Sequence, residues 1–118
     1  MPTDRPKRRL GDIVENIDLV LAYTEGLTLE QCFFGDTMRR DAIERAFQRI
    51  SEAASKLGEL GPQLVPNQPW GDIRGIGNFL RHDYDGIIHG LLWKTIQTDF
   101  GPLRAACTVA IAGLSEED

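Results

Sequence analysis

The sequence has no apolar run approaching the ~18 residues that a membrane helix needs. Its charged start, MPTDRPKRRL, is followed by no hydrophobic core of a secretory signal. Cysteine is scarce: Cys32 and Cys107 stand alone, in no spacing that suggests a disulfide framework or a metal knuckle. A reducing, cytoplasmic setting and a chain without metal or cofactor are therefore expected. There is no alternating run of β-branched residues, so strands are not expected either. Positive charge is in deficit, with 13 Lys and Arg against 18 Asp and Glu and a net charge of −5. That balance speaks against binding nucleic acid through bulk charge and leaves only a local basic site open. Repeats and low-complexity stretches are absent. What remains is 118 residues, 42% hydrophobic and 26% charged. This is a single domain over residues 1–118, large enough to bury a core.

The hydrophobic period is helical along almost the whole chain. Leu10, Ile13, Val14, Ile17, Val20, Leu21 and Thr24 recur at helical spacing, and Gly26 stops this first helix. Residues 1–8 are expected as a loose basic tip. Thr28-Leu29-Glu30-Gln31 reads as a capping box opening a short second helix that Gly35 closes. Thr37 is placed as the cap of a long third helix, with Ile43, Ala46, Phe47, Ile50, Ala53, Ala54 and Leu57 as its inner stripe. Its other face carries Arg39, Arg40, Glu44, Arg45, Arg49 and Glu52, a pattern expected of a solvated face. Residues 61–69, with Pro62, Pro66 and Pro69, read as a loop without secondary structure. A fourth helix starts at Pro69 and turns Trp70, Ile73, Ile76, Leu80 and Tyr84 to one side. Gly75 and Gly77 within it suggest close approach of another backbone. Helix resumes from about Ile87 to Phe100, and Pro102 opens a last one through Ala112. An acidic tail, residues 115–118, ends the chain. The sum is an all-α bundle of about five helices with antiparallel long members.

Chemistry concentrates in WGDIRGIGNFLRHDY, which holds Arg74, Asn78, Arg81, His82, Asp83 and Tyr84. Histidine titrates near neutral pH and is the natural proton carrier, and arginine offers a fixed fork of donors to a phosphate. At ~100° per residue these groups spread over about half the helix circumference, so a second copy from a symmetric partner would make a denser site. The bland reading of the same residues is a solvated or capped helix end. His89 precedes Gly90 and has no second ligand at metal spacing, which suits a packing or surface role. Trp70 and Trp93 read as core or interface anchors, and the two cysteines as small buried hydrophobes.

The run PWGDIRGIGNFLRHDYDGI resembles the signature region of the HepT-like family, within the HEPN superfamily of all-α domains. The first helix ending YTEG, the segment LTLEQCFFGD, the helix DAIERAFQRISEAASKLGEL, and Trp93 followed by DFGPL resemble the family in the same order. The resemblance runs from about Leu10 to Leu114. It implies a HEPN-type bundle that forms a homodimer, with the two Trp70–Tyr84 segments facing across a cleft. It further implies the toxin of a type VII toxin–antitoxin system, a metal-independent endoribonuclease acting on RNA. Its antitoxin would be an MNT-type nucleotidyltransferase that silences it by AMPylation. The family motif is an arginine, four to six residues, a histidine, and a tyrosine two residues later. On that motif His82 takes the catalytic histidine and Tyr84 the AMPylated tyrosine, while Asn78 matches the polar residue after the arginine. The arginine itself is missing: its places are Gly77, Ile76 or Gly75. Arg81 or Arg74, each shifted from the motif position, is expected to supply the guanidinium. The missing arginine also supports a second reading, a catalytically inactive HEPN module that only pairs with its nucleotidyltransferase.

Overall fold

A computed structural model of the chain describes residues 5–82 and 87–115. Its helices are α1 (Pro6–Thr24), α2 (Leu29–Phe33), α3 (Thr37–Leu57), α4 (Leu60–Leu64), α5 (Trp70–His82), α6 (Ile87–Thr98) and α7 (Phe100–Ala112). Among the described residues there is no strand. None of these helices is long and apolar enough to cross a membrane.

α3 is the central element. α1 and α5 pack on it, α7 packs on α1, α6 on α7, and the short α2 touches both α3 and α6. The inner stripe of α3 is fully inside, from Ile43 through Leu57. Phe47 of α3 stacks on Phe100 of α7, with ring centroids 4.9 Å apart. On α1 Leu10, Ile13, Ile17, Val20 and Thr24 are buried, while Leu21 at the margin of the stripe is exposed. His89 is a packing residue of α6. Its ring stacks on Phe33 at 4.8 Å, and its Nε2 lies 2.9 Å from Glu44 Oε2 on α3.

Several boundaries differ from the sequence reading. α1 begins at Pro6, so residues 6–8, expected in a loose tip, form its first turn. Proline suits that turn, where its missing N–H has no helical partner to lose. The second helix has the expected capping box: Thr28 Oγ1 accepts the Gln31 N–H at 3.2 Å, and Gln31 Oε1 accepts the Thr28 N–H at 2.9 Å. The cap of α3 is Asp36 and not Thr37, with Asp36 Oδ1 accepting the Arg39 N–H at 3.1 Å. The carboxylate also pairs with the Arg39 guanidinium at 3.4 Å, a reward a threonine cannot offer.

The segment expected as a loop contains α4, and the described residues form seven helices instead of about five. The helix forms because the segment wraps Trp70. The indole Nε1 donates to the Val65 carbonyl at 2.8 Å, and Gly61 lies so close to the ring that a Cβ there would meet it at 3.1 Å. α7 starts at Phe100 instead of Pro102, which places Gly101 and Pro102 inside its first turn.

Cys32 and Cys107 are free and buried, as expected of small hydrophobes. Burial pushes the Cys107 thiol up to about 12, and raises Cys32 against the opposing charge of Arg39. The folded chain therefore holds the Cys107 proton where the unfolded chain, with an ordinary thiol near 9.0, gives it up. Stability falls wherever the folded state binds more protons, so this contribution declines as pH rises from about 9 toward 12. Urea midpoints measured across that range should fall less steeply for Cys107→Ala than for the wild type. Parallel curves would refute the buried-thiol assignment.

Candidate active site

The site is built where α5 crosses α3, and one hydroxyl fixes the crossing. Among the described residues, four polar side chains are buried: Asn16, Thr24, Ser51 and Thr95. Asn16, Thr24 and Thr95 bond carbonyls of their own helices, at 2.8, 2.9 and 2.9 Å. Ser51 bonds across to α5 instead. Its Oγ donates to the Arg74 carbonyl at 2.8 Å and accepts the Gly77 N–H at 3.1 Å. Both bonds require the α5 backbone to lie against α3, and Gly77 permits it. A Cβ on residue 77 would stand 2.6 Å from Ser51 Oγ and 3.2 Å from Ser51 Cβ. Of the two glycines expected to mark close approach, only Gly77 does so, because a Cβ on Gly75 would meet nothing within 4 Å.

Beside this seam lies a cavity of about 430 Å³, lined on the α5 side by Arg74, Gly77 and Arg81 and on the α3 side by Arg45, Gln48, Ser51, Glu52 and Ser55. Among the described residues, three guanidiniums thus share one groove with a single carboxylate. That carboxylate is answered first by Lys56, whose Nζ sits 3.1 Å from Glu52 Oε1; its hydrogen bond and charge, with smaller contributions from the charges of Arg45 and Arg9, hold the Glu52 carboxyl below its ordinary range. Arg45 bonds Gln48 Oε1 at 3.3 Å, a neutral acceptor one turn along its own helix. No carboxylate lies within ion-pair distance of Arg45, Arg74 or Arg81 among the described residues. Among the described residues, the groove can therefore accept an anion without first giving up an ion pair.

The residues singled out from the sequence divide into three groups. Arg74 and Arg81 come together in the groove. Asn78 and His82 are exposed on the adjoining face of α5, one turn apart, and do not line it. Tyr84 and Asp83 lie outside the described residues. Arg45 and Ser51 were missed. The helical pattern assigns Arg45 to a solvated face, yet Arg45, Gln48, Glu52 and Ser55 recur at spacings of three and four and trace a polar edge beside the apolar stripe. No sequence signal marks Ser51. Among the described residues, no three His, Cys, Asp or Glu side chains cluster closely enough to hold a metal ion.

A helical domain with an arginine-lined groove next to an exposed histidine fits a protein that handles phosphodiesters. The comparisons with known proteins are more specific. The model of the family described as Ribonuclease HepT-like matches residues 13–110, and the chain belongs to that family. It is 34% identical over 98 residues to a Methanocaldococcus jannaschii protein named "Putative RNase MJ1380", covering 83% of this chain and 89% of that one. It is 32% identical over 98 residues to the "Probable ribonuclease HepT" of Thermococcus cleftensis, covering 83% and 88% of the two chains. No solved structure matches the chain.

The seam makes a quantitative demand. Gly77→Ala forces Ser51 Oγ to swing away and give up both bonds to α5. At about 1 kcal/mol for each lost bond, and more for a buried group left unpaired, we expect a loss of about 1–3 kcal/mol in urea unfolding. The cost should shrink when Gly77→Ala is made on a Ser51→Ala background, because the 2.6 Å contact is with the hydroxyl oxygen. Strict additivity of the two substitutions would mean that Ser51 and Gly77 are not coupled.

Proposed function

We propose that the chain is a metal-independent endoribonuclease, the HepT-like toxin of a type VII toxin–antitoxin pair. The observation that carries the reading is the arginine-lined groove of α3 and α5, placed beside His82 in a chain of the HepT-like ribonuclease family. RNA can be cleaved without a metal through its own 2′-hydroxyl. A base removes that proton, the oxygen attacks the adjacent phosphorus, the bond to the 5′-oxygen breaks, and an acid returns a proton to the leaving oxygen. His82 is the base and acid in this scheme. Proton transfer by a positioned histidine typically contributes about 10²–10⁴-fold. Arg81 and Arg74 neutralise the phosphorane, and Asn78, one turn before His82, orients the nucleotide.

Two further parts of the reading follow the family. Because His82 and the guanidiniums face different sides of α5, a homodimer that opposes two α5 helices would close one site from both. An MNT-type nucleotidyltransferase antitoxin would transfer AMP from ATP to the Tyr84 hydroxyl, with pyrophosphate as the leaving group. The nucleotide would add negative charge and bulk two residues along the chain from His82. Such a pair would act in the cytoplasm.

One observation favours a second reading, a HEPN module that only binds its nucleotidyltransferase. Gly77 stands where the family motif has arginine, and His82 is outside the wall of the groove. Cleavage of total RNA with chelator present separates the two. The wild type should cleave and His82→Ala should lose at least about 10²-fold, the low end of what such a group supplies. Equal cleavage by both proteins, or none by either, would leave the binding module.

The antitoxin reading has its own test. Co-expressed with the nucleotidyltransferase, the chain should carry added AMP on the peptide containing Tyr84 by mass spectrometry. That modification should be lost in Tyr84→Phe. An unmodified peptide from an inactive complex would count against control by AMPylation.

A further inference from the structure

We propose that the guanidinium missing from the motif is supplied by α3: Arg45 binds the RNA phosphate across the groove from Arg74 and Arg81. This rests on the ribonuclease reading for its substrate but stands on separate geometry. A side chain at the Gly77 motif place would cost the bundle its seam, because a Cβ there would stand 2.6 Å from the Ser51 hydroxyl that ties α5 to α3. The same glycine leaves the floor of the groove open, and the groove it opens is the one Arg45 lines from the opposite wall.

Three features suit Arg45 to the role. Its side chain is exposed, so it can reach a ligand without rearrangement of the core. Its hydrogen bond to Gln48 is to a neutral group, so contact with a phosphate costs no ion pair. It also extends from a 21-residue helix whose inner stripe is buried along its length, so the guanidinium is carried on a rigid support. Arginine is the right group for this task, since its planar fork can meet two phosphate oxygens at once. With Arg74 and Arg81 it forms a cradle of three cations drawn from two helices. A phosphodiester entering between them would be held on both sides, whereas an arginine at the motif position would reach it from α5 alone.

Arg49 is the natural control. It lies one turn beyond Arg45 on α3 and is also exposed, but it lines a different cavity, between α1 and α3, with Arg9, Asn16 and Lys56. If general positive charge on α3 attracted RNA, the two arginines would matter equally.

The test uses the full chain and reads binding and cleavage separately. Binding is measured by fluorescence anisotropy of a labelled single-stranded RNA oligonucleotide on the His82→Ala background, over a potassium chloride series. Arg45→Ala should weaken binding and flatten the logarithmic salt dependence by about 0.7, the slope expected for one lost contact to a single-strand phosphate. Arg49→Ala should leave both unchanged. In the cleavage assay with His82 intact, Arg45→Ala should lose about 10²–10³-fold, the usual cost of removing one positioned donor to transition-state charge. If Arg45→Ala binds with the wild-type slope and cleaves at the wild-type rate while His82→Ala is inactive, the ribonuclease reading survives and the role of Arg45 is overturned. If the wild type never cleaves but Arg45→Ala still loses the phosphate slope, the phosphate site stands and the ribonuclease reading falls. Equal losses in Arg45→Ala and Arg49→Ala would reduce the groove to a general basic surface and overturn the proposal.

Discussion

The Ser51 hydroxyl holds the candidate site together. It gives a hydrogen bond to the Arg74 carbonyl and takes one from the Gly77 amide, so α5 is tied to α3 through backbone atoms at the centre of the motif segment. Hydrophobic burial of Ile73 and Ile76 would hold the two helices together without fixing how they sit. Two directional bonds to one small side chain do fix it, and they do so only because residue 77 has no Cβ. The rotation of α5 about its axis follows from that. Arg74 and Arg81 then face the groove, while Asn78 and His82 face outward on the next stripe of the helix.

The other parts of the bundle serve to keep α3 and α5 where they are. α3 is locked by its apolar stripe against α1 and by the Phe47–Phe100 stack against α7. α5 is anchored at its start by Trp70, whose indole bonds the chain that leads into it. His89 bonds Glu44 near the start of α3 and stacks on Phe33, which couples α6 and α2 to the same helix. The groove therefore lies between two helices that are each supported from the far side.

Much of this was legible in the sequence, for physical reasons that differ by element. The inner stripe of α3 was readable residue by residue, because burial of an amphipathic helix is a periodic signal. The capping box of α2 was readable because it is local chemistry within four residues. α4 was not, since its stability comes from Trp70 and Gly61 packing together and not from its own LGPQL sequence. Asp36 and Thr37 compete for one cap, and an ion pair with Arg39 decides between them. Within the site, Arg74 and Arg81 were found because they sit in the motif segment. Arg45 and Ser51 lie 23 to 36 residues earlier in the chain and meet that segment only through the fold. An arginine on an exposed helical face carries no sign of what stands opposite.

The charge of the chain sharpens what the groove must do. At −5 per chain, and about twice that for a homodimer, the molecule as a whole carries the same sign of charge as RNA and offers it no bulk attraction. Beyond a Debye length of ~8 Å at physiological salt that charge is largely screened, so the local arrangement decides binding at contact. Among the described residues the groove presents three guanidiniums and one carboxylate, and Lys56 already pairs with the carboxylate. Such a distribution disfavours capture of any long polyanion by bulk attraction and favours a phosphate that can be inserted between two helices.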